Sequence, residues 1–182
     1  MPNEVDADVI NVAGRIALAL LAAEHVAPLL APHPSTRALV EGVLREDWQW
    51  METRAVNLGE LYWGYMPRLM EEDSRLGGDA LLPVLHCALY AQTYFFWSAE
   101  GVTNLESPGT VLGLGNDISD VDESSLTNCL ELAVRVSPRP QQTAEWLDRL
   151  VARIGREQRK TPDNVTGGRL RRADYDVPAL AD

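Results

Sequence analysis

Basic side chains are scarce in this 182-residue chain: 16 Lys and Arg stand against 27 Asp and Glu, for a net charge of −11. Between Leu76 and Val134 there is no Lys or Arg at all. That balance excludes nucleic acid and an anionic membrane surface as direct partners, because both repel it, and it suits a basic partner. Cysteine is scarcer still. Cys87 and Cys129 both lie in apolar segments, so a disulfide framework is not expected and reduced, buried thiols are. The opening MPNEVDADV lacks the basic start of a signal peptide, which places the protein in the cytoplasm as an expectation. Strand-like alternation and internal repeats are also missing.

What is present in quantity is apolar helix. The stretch Asp79 to Thr103 is the most pronounced: from Ala80 to Ala99 no side chain is charged, and most faces are apolar when wound as a helix. A helix apolar all round belongs in a core or a membrane. Pro83, His86, Gln92, Thr93 and Ser98 interrupt the run, and its flanks are Asp79 and Glu100 with no basic anchor. The expectation is therefore a buried central helix rather than a membrane span.

Five further helices are read around it. Ile10, Ala13, Ile16, Ala17, Leu20, Leu21 and Ala23 mark an amphipathic helix from Asp8 to Leu30, started by Asp6 or Asp8. Ser35 is placed to cap a second, with Leu39, Val40, Val43, Leu44, Trp48 and Met51 on one face. Asn57-Leu-Gly opens a third, in which Pro67 predicts a kink or split. Asp79 caps the central helix, with Pro83 in its first turn. After Gly101 comes a loop of Gly, Ser, Pro and Asp, then a fifth helix over Glu123 to Val136. Thr143 is placed to cap the sixth, whose stripe is Trp146, Leu147, Leu150, Val151 and Ile154. The reading is an all-α single domain over 1–158, about six helices around a central buried one, followed by a polar, flexible C-terminal tail over 159–182.

Motifs for chemistry are absent or incomplete. His25, His33 and His86 show neither Glu-x-x-His nor HExxH spacing, so no di-metal or zinc-protease site can be drawn. His86 and Cys87 are read as a packed core pair, since adjacent helical positions diverge by about 100°. The glycines at 109, 113 and 115 lack the Gly-Lys-Ser/Thr of a phosphate loop. Asp120, Asp122, Ser124, Asn128 and Glu131 follow calcium-loop spacing, but Ser125 stands where the turn needs Gly. A helix from Glu123 onward would preclude that loop, and Asp120 to Glu123 read more simply as a capping box. No catalytic residue, metal ligand or cofactor is expected.

The charge pattern is the strongest feature outside the core. Asp117, Asp120, Asp122 and Glu123 cluster before the fifth helix, where a solvated loop with N-terminal caps favoured by the helix dipole is the plainer reading and a partner surface the other. Glu71, Glu72 and Asp73 stand near the C-terminal end of the third, where the helix dipole disfavours acids and only Arg75 offsets them. Trp50 and Trp63 lie at the borders of their helices' apolar arcs, positions that are usually half-buried core, though tryptophan is also among the residues most often found as interface anchors. These nine residues form the expected partner-binding set.

Certain pieces, in order, resemble a known family. They are Ala23-Glu24-His25-Val26-Ala27-Pro28, Trp48-Gln49-Trp50, Glu60-Leu61-Tyr62, the aromatic run from Tyr90 to Trp97, and Asp117-Ile118-Ser119-Asp120-Val121-Asp122-Glu123. Together, from Ile16 to about Ser125, they resemble the all-helical immunity proteins of bacterial polymorphic toxin systems. The resemblance implies a small cytoplasmic protein that binds and neutralises a cognate toxin domain, with no reaction of its own. It carries no residue-by-residue binding site, and the Arg-rich tail lies outside it. Two other classes compete: a helical enzyme or metal-binding protein, and a scaffold subunit that self-associates through apolar helix edges.

Overall fold

The computed structural model describes residues 9–106 and 123–180. Within them the fold is all-α, a single compact domain of six α-helices, with no named strand among the described residues. The helices are α1 (Val12–Val26), α2 (Pro34–Thr53), α3 (Leu58–Arg75), α4 (Leu82–Glu106), α5 (Glu123–Val136) and α6 (Pro140–Glu157). A 3-10 turn, Ala27–Leu30, extends α1, and another, Arg172–Asp174, interrupts the C-terminal segment.

Two helices share the centre. α4 packs along α5 and α1, and α1 also packs on α5; α2 and α3 cover one side and α6 the other. Every residue of α1 except Glu24 is buried, so this helix is not the amphipathic one its spacing predicts. Its small residues Ala17, Ala19, Ala22 and Ala23 let neighbouring backbones approach from every side, and all are buried. Among the described residues, Val12–Leu30 alone is long and apolar enough to cross a membrane, and most of it is buried in this fold.

Several helix starts differ from those expected. Asn11, not Asp6 or Asp8, caps α1: its side chain accepts the Gly14 N–H at 3.0 Å. Pro34 and Pro140 open α2 and α6, which places His33 and Arg139 at the caps. Proline fits the first helical turn because its φ is already helical and it lacks an N–H that would go unbonded there. Ser35 and Thr143 thus fall inside their helices. The third helix follows the expected break, with Asn57 as its cap accepting from the Glu60 N–H at 3.2 Å. α3 runs past Pro67 without a split. Asp79 holds the turn into α4, its carboxylate accepting the Leu81 N–H at 2.7 Å.

The segment after α6, expected as a flexible tail, is bonded to the body as far as Pro178. Helix N-termini leave N–H groups without partners, and here the carbonyls of Val165 and Thr166 accept from Val12 and Ala13 at 3.0 and 2.9 Å. Gly167 makes the turn at φ 79°, where a Cβ would stand 2.5 Å from the Asn11 side-chain oxygen. Leu170 and Tyr175 then bury against the domain, and Arg172 bonds Glu24 at 2.6 Å.

Candidate partner-binding surface

The expected partner-binding residues do not come together as one site. Trp50 is 1% exposed; the Phe95 ring meets it edge-on at 5.5 Å and the Arg54 guanidinium lies 4.1 Å over it. It is a core residue and anchors nothing outside. Glu72 bonds Thr36 and Arg75, the latter at 2.5 Å. These hydrogen bonds, from Arg75 first and Thr36 second, hold its carboxyl below the usual range. Asp73 bonds His86 at 2.6 Å. Both acids therefore tie α3 to its neighbours, while Glu71 is exposed. His86 itself is half-buried and engaged with Asp73, so only Cys87 of that pair is core. Asp117, Asp120 and Asp122 lie outside the described residues; Glu123 begins α5, and its side chain is not described. Ser124, Asn128 and Glu131 lie along that helix, which leaves them no calcium loop to close.

Trp63 fares differently. It is 70% exposed, and with it on the outer face of α3 and α4 stand Trp97 at 52% and Met70 at 50%. The two tryptophans end a continuous ladder of four rings. Trp63 meets Tyr62 edge-on at 5.2 Å, Tyr62 stacks on Phe96 at 4.0 Å, and Phe96 meets Trp97 edge-on at 5.2 Å. Half-buried Met66, Leu89 and Tyr90 pack against the core from the same two helices. Glu60, Glu71 and Glu100 are exposed on these helices, and α4 carries no Lys or Arg. The result is an apolar, aromatic strip on helices that carry these three exposed carboxylates, with Arg68 and Arg75 also exposed on α3.

Trp97 was missed because a twenty-residue uncharged run reads as buried on every side. A partial signal was nonetheless present: His86, Tyr90, Thr93, Trp97 and Glu100 recur at four- and three-residue steps on one helical face, although the equally polar Gln92 and Ser98 lie off it and are buried.

A second feature is a cleft of about 610 Å³ between the end of α1, α2 and the C-terminal segment, lined by Glu24, His25, Trp48, Glu52, Arg172 and Pro178 among others. His25 is committed there. Its Nδ1 lies 3.0 Å from the Pro178 carbonyl, which can only accept, so Nδ1 carries the proton. Nε2 then accepts from the Thr143 hydroxyl at 3.0 Å. Thr143 and Ser137 are 2.8 Å apart, and Ser137 accepts the Arg139 N–H at 3.1 Å. Burial lowers the His25 pKa from 6.5, with the Pro178 bond opposing. Among the described residues no three His, Cys, Asp or Glu side chains converge as metal ligands.

Comparison with protein families, with curated proteins and with solved structures finds no match for this chain.

Proposed function

We propose that this protein is a cytoplasmic immunity protein that binds and neutralises a cognate toxin domain, and that the outer face of α3 and α4 is its docking surface. The observation that carries the reading is the exposed aromatic ladder ending in Trp63 and Trp97. A monomer has little reason to hold two tryptophans in water on one face, and tryptophan is among the residues most enriched at binding hot spots. Covering both rings removes on the order of 200 Å² of apolar surface from water, worth about 5 kcal/mol before the costs of association.

The charge supports the same reading. A net −11 with exposed Glu60, Glu71 and Glu100 on the helices of the strip favours a basic partner and speeds its encounter. A toxin acting on a polyanion such as nucleic acid has a basic face of that kind, and occlusion of that face is the mechanism we infer. The rings slow release, and the acids steer approach. Self-association through the strip is the rival use of the same tryptophans; like charge on both copies opposes it.

Purification of the tagged protein from its own host tests the proposal. The expected result is a stoichiometric basic protein that is toxic when expressed alone, is neutralised by co-expression of this chain, and leaves at high salt. A captured partner with no toxicity would contradict the immunity reading. Sedimentation as a homodimer that dissociates on Trp63→Ala would favour the rival.

A further inference from the structure

Cys87 on α4 and Cys129 on α5 are 42 positions apart in sequence, and their sulfurs are 3.4 Å apart. Both thiols are buried. The Cys87 thiol also donates to the Cys129 carbonyl at 3.3 Å, and the Cys129 thiol to the Ala19 carbonyl at 3.5 Å. The pair therefore sits where α1, α4 and α5 meet, with no other side chain between the sulfurs. A disulfide needs about 2.05 Å between sulfurs, so the gap to close is roughly 1.4 Å, within the reach of small side-chain rotations at two adjoining helices.

We propose that Cys87 and Cys129 are a modification site, a dithiol that hydrogen peroxide converts to an intramolecular disulfide clamping α4 to α5. The Cys87 sulfur attacks the peroxide; an S–O bond forms, the O–O bond breaks, and the departing hydroxide takes the thiol proton as water. The Cys129 sulfur then attacks the Cys87 sulfenic acid. The S–S bond forms, the S–O bond breaks, and hydroxide leaves with the Cys129 proton as a second water. Two electrons pass from the two sulfurs to one peroxide. The hydrogen bond with the Cys87 thiol, and burial after it, hold the Cys129 thiol well above its usual pKa, so it stays protonated and is a poor first nucleophile toward the peroxide. Because neither sulfur reaches solvent, the reaction waits on local opening between the helices and is slow.

The clamp closes a loop that contains both Trp97 and the acidic stretch before α5, tying the N-terminal part of α4 to the middle of α5 in the unfolded chain as well. The test treats the full-length protein with hydrogen peroxide and follows free thiols, intact mass and melting temperature. The expected product is monomeric, lacks both thiols, is two hydrogens lighter and melts several degrees higher; Cys87→Ala and Cys129→Ala each abolish it, and Cys129→Ala leaves a sulfenic acid on Cys87. Two thiols that stay free in the folded chain, under peroxide that closes them in urea, would overturn the proposal. So would disulfide-linked dimers, or a product that melts lower.

Discussion

The ring of Tyr62 on α3 stacks on that of Phe96 on α4 at 4.0 Å and 27°, and the next residue in each helix is an exposed tryptophan. The inner pair belongs to the fold and the outer pair does not. Phe96→Ala is expected to cost about 3 kcal/mol, by loss of burial and the cavity it leaves, whereas Trp97→Ala changes stability by no more than about 0.5 kcal/mol. Urea midpoints of the two variants check this; equal losses would mean that Trp97 is structural.

Asp47 lies fully buried on α2, and among the described residues neither of its carboxylate oxygens has a hydrogen-bond partner. Burial raises its pKa well above 3.8, the neighbouring Gln92 side chain opposes this, and Glu46 adds to it. Gln92 is close enough to favour the charged form, yet no hydrogen bond of ordinary geometry joins the two. The folded chain thus keeps a proton that the unfolded chain releases above about pH 4, so stability falls as pH rises through that window. Asp47→Asn removes the slope. Expected is a gain of about 1–3 kcal/mol at neutral pH that vanishes below the unfolded pKa, read from urea midpoints at both pH values.

His25 behaves with the opposite sign. Its folded pKa is lowered from 6.5, so below 6.5 the unfolded chain binds more protons and stability falls with falling pH; above 6.5 the contribution is fully present. Protonation also removes the acceptor that the Thr143 hydroxyl uses. Carboxypeptidase trimming of the C-terminal residues should accelerate as pH drops below 6.5, and His25→Asn should flatten that dependence.

Gly167 tests whether the C-terminal segment contributes to the fold. Gly167→Ala must strain a backbone at φ 79° and push a methyl against the Asn11 cap. A loss of about 1–3 kcal/mol is expected, against little change for Gly168→Ala, where the added methyl meets nothing within 4 Å. Thermal melts of the two variants decide it.

The all-α class and the helix count were legible because three- and four-residue apolar spacing recurs throughout and every break carries Pro, Gly or Asn. Ends were harder. Ser35 and Thr143 have good capping side chains, but Pro34 and Pro140 set the starts ahead of them. Trp50 and Trp63 occupy similar border positions in their helices. Only tertiary packing separates them: Phe95 and Arg54 close over Trp50, whereas Trp63 meets the edge of Tyr62 and stays 70% exposed. The bonded C-terminal segment was hidden because backbone carbonyls, rather than an apolar pattern, hold its first part.

The most direct test of the account is the affinity of a captured partner for the wild-type chain and for the Trp63→Ala, Trp97→Ala double variant, at low and high salt. Loss of at least a hundredfold in affinity, with an unchanged melt and a salt dependence retained from the acids, is the outcome the account predicts. Undiminished binding by a folded double variant would contradict it, and would move the docking surface away from α3 and α4.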